Sequence, residues 1–173
     1  TDGINAYGNR VKAMTPAEMD QTAAAFAQTC RDAKELGFDM VMLHFAHGWL
    51  PAQFLSPALN HRTDSYGGCL ENRMTFPLAI IKAVREAVGP DYPVDLRISA
   101  KEWIEGGIGL DEVLTFLKQA EPYLDMVNVS AGQDMDKQGN IHMATSALEP
   151  HGVNRQLARA IKQTLAIPVA VVG

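Results

Sequence analysis

The sequence predicts an α/β architecture, part of a (β/α)8 barrel, and three observations carry that expectation. Helix-type and strand-type patterns alternate four times along the 173 residues, and alternation at this spacing implies a parallel sheet with crossover helices. The interior strand runs end on polar residues, namely His44, then Arg97 and Ser99, then Asn128 and Ser130. In a barrel such ends converge on one face. The competing layout, an open doubly wound sheet for a dinucleotide, wants G-x-G-x-x-G directly after a strand. The nearest candidate, Gly106-Gly107-Ile108-Gly109, stands several residues past its strand and lacks that spacing.

The elements follow in order. Residues 1–14 are expected to form an entry loop. Thr15-Pro16-Ala17-Glu18 is a helix start: Thr15 can cap, Pro16 suits the first helical position, and Glu18 completes a capping box. Met19, Ala23, Phe26, Cys30 and Ala33 then recur at helical spacing until Gly37. Phe38 to His44 is expected as a buried strand, followed by a long polar, glycine-containing loop. Glu71 to Val88 is the next helix, with Met74, Leu78, Ile81 and Val84 on one face and Pro77 marking a kink or a late start. Pro93–Ser99 and Asp125–Ser130 are strands, separated by a helix over Asp111–Glu121 that Pro122 halts. Ala131 to Gly152 shows little periodicity and is expected as loop. Val153–Leu165 is the last helix and Ile167–Val172 the last strand. A closed barrel needs eight strands and typically ~250 residues, so four strands are half of one. With no initiator methionine and a terminal apolar strand, the chain is expected to be a portion of a longer protein.

Composition excludes several classes. A net charge of -5 with no Lys/Arg-rich run argues against a nucleic-acid surface. No apolar run reaches the roughly 18 residues of a membrane span, and no signal peptide is visible. Cys30 and Cys69 stand far apart in no C-x-x-C pair, which indicates neither a disulfide framework nor a metal knuckle. A cytoplasmic location is the expectation.

Two places carry unusual chemistry. His44 and His47 form H-x-x-H where an apolar strand runs out. Zinc would need a third ligand, and the helical H-E-x-x-H signature is absent, so no metal is expected. One of the pair can instead pack on the barrel wall and bond a backbone carbonyl. The alternative is a pair of donors aimed at one ligand oxygen, stabilising charge that develops there. Arg97 interrupts the buried-looking strand Val94-Asp95-Leu96-Arg97-Ile98. A buried guanidinium needs an anionic partner: a salt bridge to Asp95 or Glu102, or a cofactor that gains negative charge, such as a reduced flavin. Asn60 to Arg73 gathers Arg62, Asp64, Tyr66, Glu71 and Arg73 around Gly67-Gly68, a mixture that more often fixes a loop than catalyses.

Five segments, GFDMVMLHFAHGWLPAQFLSP, NHRTDSYGGCLENR, VDLRIS, DMVNVSAG and IPVAVVG, agree in order and spacing with one family. The chain resembles the old yellow enzyme / NADH:flavin oxidoreductase family, in the branch of 2,4-dienoyl-CoA reductase and trimethylamine dehydrogenase. The resemblance runs from about Thr15 to the end. It implies an FMN-binding TIM barrel, with residues 1–173 as a partial domain spanning about helix 3 to strand 7. It places the ligand-polarising pair on His44 and His47 and the flavin-contacting arginine on Arg97. It implies NADH or NADPH as reductant and, as partner, a small molecule with a conjugated carbonyl or similar acceptor group.

The resemblance has one departure. The family usually has a proton-donating tyrosine where this chain has Trp49. An indole N–H is a donor only and too weak an acid for that task, so the proton comes from water or another side chain, or the acceptor is not an ordinary enone. The family's first strands and its phosphate-holding loops after strands seven and eight fall outside these residues. The 173-residue piece is therefore expected to bind FMN weakly or not at all. The alternative is a non-catalytic half-barrel that folds or self-associates without flavin, two copies having the strand count for a homo-oligomeric barrel.

Overall fold

The computed structural model describes residues 2–4, 8–144 and 149–173. The first structured segment is not plain loop: β1 (Gly3–Ile4) and β2 (Arg10–Val11) pair antiparallel. Helix α1 (Pro16–Glu35) begins as the sequence requires. The Thr15 side chain accepts from the Glu18 backbone N–H, while Glu18 accepts from the Thr15 N–H at 2.8 Å. Met19, Ala23, Ala27 and Cys30 are its buried residues, and Gly37 takes φ 88° just beyond its end.

Four strands form one parallel sheet in sequence order: β3 (Val41–Phe45), β4 (Val94–Ser99), β5 (Met126–Ser130) and β6 (Val169–Val171). Between them lie α2 (Leu50–Leu55), α3 (Leu70–Val88), α4 (Leu110–Ala120), α5 (Lys137–Met143) and α6 (Arg155–Thr164). The expected parallel α/β layout holds, as an arc of four strands with no closed barrel among the described residues. No helix there is long and apolar enough to cross a membrane.

Period-2 alternation divides the sheet's faces. Val94, Leu96 and Ile98 of β4 and Val127 and Val129 of β5 belong to the hydrophobic core shared with the helices. The alternate residues, Asp95, Arg97 and Ser99 of β4 with Asn128 and Ser130 of β5, fall on the opposite, inner face. Register sets His44 beside Arg97, Arg97 beside Asn128, and Asn128 beside Ala170 in a single rung.

Several expectations need correcting in detail. The first sheet strand begins at Val41 and not Phe38, which is exposed like Met40. α3 starts at Leu70, so Pro77 does not delay it; Pro77 lies inside the helix, buried. The supposed loop over residues 131–152 contains α5, whose start is held by Asp136 Oδ1 accepting from the Gln138 and Gly139 N–H groups. A short helix with a glycine in it has no apolar period to announce it. Residues 145–148 of that stretch, like residues 1 and 5–7 of the entry segment, lie outside the described residues. α2 is hidden in the same way after Trp49: six residues are too few for a periodic signal, yet Pro51, Ala52, Phe54 and Leu55 are buried.

The Asn60–Arg73 stretch fixes a loop, as its composition suggests. Asn60 donates to Phe54 O and Tyr66 O, each at 2.8 Å. Arg62 pairs with Asp64 at 2.5 Å, and Arg73 pairs with Glu112 and donates to Leu55 O. Gly67 is required there, because a Cβ would stand 2.3 Å from Arg62 O.

The Thr15 cap supports the helix that packs across α3. Replacing Thr15 with Ala is expected to lower stability by about 1 kcal/mol, with an unchanged denaturant slope. Urea midpoints for the two proteins check it; an unchanged midpoint would show that the capping box contributes nothing.

Candidate active site

The C-terminal ends of β3, β4 and β5 and the loops after them build one polar site. His44 is the fourth residue of β3. His47 lies just beyond the strand in the left-handed region at φ 61°, followed by Gly48 at φ 77°. That turn brings the two imidazoles together, with ring centroids 5.0 Å apart at 64°. The loop after β5 holds His47 there: His47 bridges Gln133, and the Asp134 N–H donates to His47 O at 3.2 Å.

Two serines finish the cradle. Ser99 Oγ accepts the His47 backbone N–H at 3.1 Å and donates to Gly132 O at 2.7 Å. Ser130 Oγ lies 2.8 Å from His47 Nε2. The expected alternative, a histidine bonded to a backbone carbonyl, is thus replaced by a hydroxyl partner. Gly132 is demanded by position, at φ 76° and with a Cβ there only 2.2 Å from Gly139 O.

Arg97 sits between His44 and Asn128 on the inner face. No salt bridge joins it to Asp95 or Glu102 among the described residues. Glu102 is occupied elsewhere, accepting from Ser56 Oγ at 2.6 Å and the Ile108 N–H at 2.9 Å. Burial pushes its carboxyl above the usual carboxylate range. Asp95 is fully buried, and burial likewise raises its carboxyl. Among the described residues, both Asp95 oxygens, Arg97 Nε and Asn128 Oδ1 are buried without a hydrogen-bond partner. Buried polar groups are normally paired; four orphaned atoms on one face form a donor and acceptor set suited to a polar planar ligand.

The electrostatics favour neutral imidazoles. Burial, then the neighbouring charge of Arg97, lowers the His44 pKa. Burial first, then His44 and Arg97, lowers that of His47 to about 4. Each ring therefore offers one N–H and carries no charge near neutrality. No group of three or more His, Cys, Asp or Glu able to hold a metal is found among the described residues. Trp49 is largely exposed, its ring 6.5 Å from that of His44.

Sequence reasoning marked His44, His47, Trp49, Arg97, Asn128 and the two serines, and the structure gathers them at one end of the sheet. It passed over Gln133 and Asp134, whose loop looks merely polar. Gln133 is 1% exposed, and only its pairing with His47 reveals its part.

The family model of the NADH:flavin oxidoreductase / NADH oxidase family matches residues 1–173. The chain belongs to this family. FMN is the family's cofactor, and the unpartnered guanidinium nitrogen and amide oxygen of the inner face fit a flavin's alternating donors and acceptors. The chain is 39% identical over 171 residues to an NADH oxidase of Thermoanaerobacter brockii, covering 96% of this chain and 25% of that protein. It is 36% identical over 163 residues to an NADPH dehydrogenase of Geobacillus thermodenitrificans, covering 94% and 45%. Among solved structures, 2-naphthoyl-CoA reductase in complex with 2-naphthoyl-CoA superposes with TM-score 0.85 at 28% identity, covering 98% of this chain and 28% of that one. The chain thus spans between a quarter and a half of the length of these relatives.

The depressed His47 pKa has a consequence for stability. The folded value of about 4 lies below the ordinary 6.5, so the unfolded chain binds the proton more readily. The contribution is fully present above pH 6.5 and is lost as pH falls towards 4. At 1.36 kcal/mol per unit it amounts to at most about 3 kcal/mol. Asn tolerates the left-handed backbone of this position, so His47→Asn is the comparison to make. Urea unfolding between pH 7.5 and 4.5 should show the wild type losing more stability than the variant. Asp95 and Glu102 act in the opposite sense and are common to both proteins. Parallel pH profiles would show that His47 titrates normally.

Proposed function

We propose that this chain forms part of the active site of an FMN-dependent oxidoreductase that takes reducing equivalents from NADH or NADPH and passes them to an acceptor such as an activated alkene. Family membership supports the flavin and the nicotinamide reductant. The single observation that carries the site reading is the unpaired Arg97 beside two neutral, adjacent histidines. When bound, FMN supplies a carrier that accepts hydride from the nicotinamide and delivers it to the acceptor.

In this reading Arg97 would hold the flavin edge that gains electron density on reduction. Its charge favours the anionic form there, as a nearby cation does for any acid. Among the described residues no carboxylate forms a salt bridge with Arg97. His44 and His47 each donate an N–H to the carbonyl oxygen of the acceptor, polarising it toward attack. Because both are neutral they bind a neutral carbonyl without the cost of desolvating a cation. Trp49 walls the site beside His44 and supplies no acidic proton; that proton reaches the acceptor from water or another group. The acceptor is of the small conjugated-carbonyl class. The likeness to a reductase holding an aromatic acyl-CoA supports an acyl compound among the choices.

A second reading has its own observation. Met42 on the edge strand β3 is 47% exposed, and an open groove of about 770 Å³ between α1 and β3 is lined by Phe26, Cys30, Val41 and Leu43. Apolar edges of this kind favour association, so the chain can fold or self-associate without flavin.

Fluorescence titration with FMN separates the two. The flavin reading expects weak, saturable binding by the chain and a loss of ~10-fold or more in Arg97→Ala, since a hydrogen bond to a charged group contributes roughly 1.5–3 kcal/mol. Equal binding by both proteins would remove Arg97 from the site. Absence of binding by a folded wild type would favour the second reading for these residues.

A further inference from the structure

His47 has two neutral tautomers, and the hydrogen bonds around it bear on which one forms. Ser130 is 1% exposed, and among the described residues its Oγ has one hydrogen-bond partner, His47 Nε2 at 2.8 Å. A buried hydroxyl left without an acceptor for its proton is costly. If Nε2 carried the hydrogen, it would donate to Ser130 Oγ, and the serine proton would have no acceptor. If the serine donates, Nε2 is the acceptor, the buried serine proton is placed, and the one group left open is the Nδ1–H. The neighbouring Ser99 cannot serve as an alternative acceptor arrangement for the ring, because its oxygen takes the His47 backbone N–H and its proton goes to Gly132 O.

We propose that Ser130 is a positioning residue: its hydroxyl donates to His47 Nε2, holds the neutral imidazole in the Nδ1–H form, and so presents Nδ1–H as the donor to the acceptor's oxygen. The proposal rests on reading His44 and His47 as ligand donors and names which nitrogen of His47 does the donating. Nδ1 has no protein partner among the described residues, as a donor reserved for a ligand requires. The groups that act on this ring are His44 from β3, Arg97 from β4 and Asp134 from the loop after β5. None of them bonds Nε2, so the tautomer depends on Ser130. The device is the familiar one in which the partner of one ring nitrogen decides the state of the other.

The test is a long-range 1H–15N spectrum of 15N-labelled chain at pH 7.5 without flavin, with His47 identified by its loss in His47→Asn. The wild type should show a protonated, pyrrole-type Nδ1 and a pyridine-type Nε2. Ser130→Ala should shift the population toward Nε2–H, the form free imidazole side chains favour in water. Ser130→Thr should restore the wild-type pattern, because it keeps the hydroxyl. A protonated Nε2 in the wild type would overturn the proposal, and so would a Ser130→Ala spectrum unchanged from wild type. Should Ser130→Ala fail to fold, the wild-type spectrum still decides, since a protonated Nε2 there contradicts the assignment. The measurement contains no flavin, so a failure of FMN binding would count against the proposed function and leave the tautomer result standing.

Discussion

Strand β4 carries the constraint on which the site depends. Its alternate residues Val94, Leu96 and Ile98 are sealed into the core under the helices. The two-residue period of a strand then forces Asp95, Arg97 and Ser99 onto the other face. Among the described residues neither of the two carboxyls nearest in sequence forms a salt bridge with Arg97: burial raises the Asp95 pKa, and Glu102 is engaged with Ser56 and Ile108. A positive charge without a salt-bridge partner among the described residues thereby stands on the inner face. Its field also acts on the imidazoles, helping to keep His44 and His47 neutral.

The loops convert that strand geometry into a site. His47 needs a left-handed backbone to turn back over His44, and a bulky residue in that region is held only where its surroundings over-determine it. Here the surroundings come from three segments: Ser99 takes its N–H, Ser130 meets its ring, and Asp134 donates to its carbonyl. Gly132 lets α5 approach closely enough for the loop after β5 to close down. These hydrogen bonds engage the His47 N–H, ring and carbonyl without any ligand, which suits the proposed role of the histidine pair as donors.

Trp49 gives this chain a chemical character within its family. An aromatic ring stands beside His44, but it offers a donor without useful acidity. In the proposed function the two histidines hold the acceptor oxygen, and Trp49 does not deliver the proton.

Much was legible in the sequence, for definite reasons. The capping box at Thr15, the helical spacing of Met19 through Cys30, and the apolar runs of β4 and β5 are local signals, each set by backbone geometry acting over a few residues. The parallel alternation followed from them, and the placing of His44, Arg97, Asn128 and Ser130 at one end followed from the parallel alternation. The sequence could not show α2 and α5, because one or two turns have no period to read. Nor could it show that Gln133 pairs with His47, that Arg97 lacks a salt bridge among the described residues, or that Ser130 meets Nε2. Those facts depend on distances between residues far apart in the chain, and only the packing of strands in register decides them.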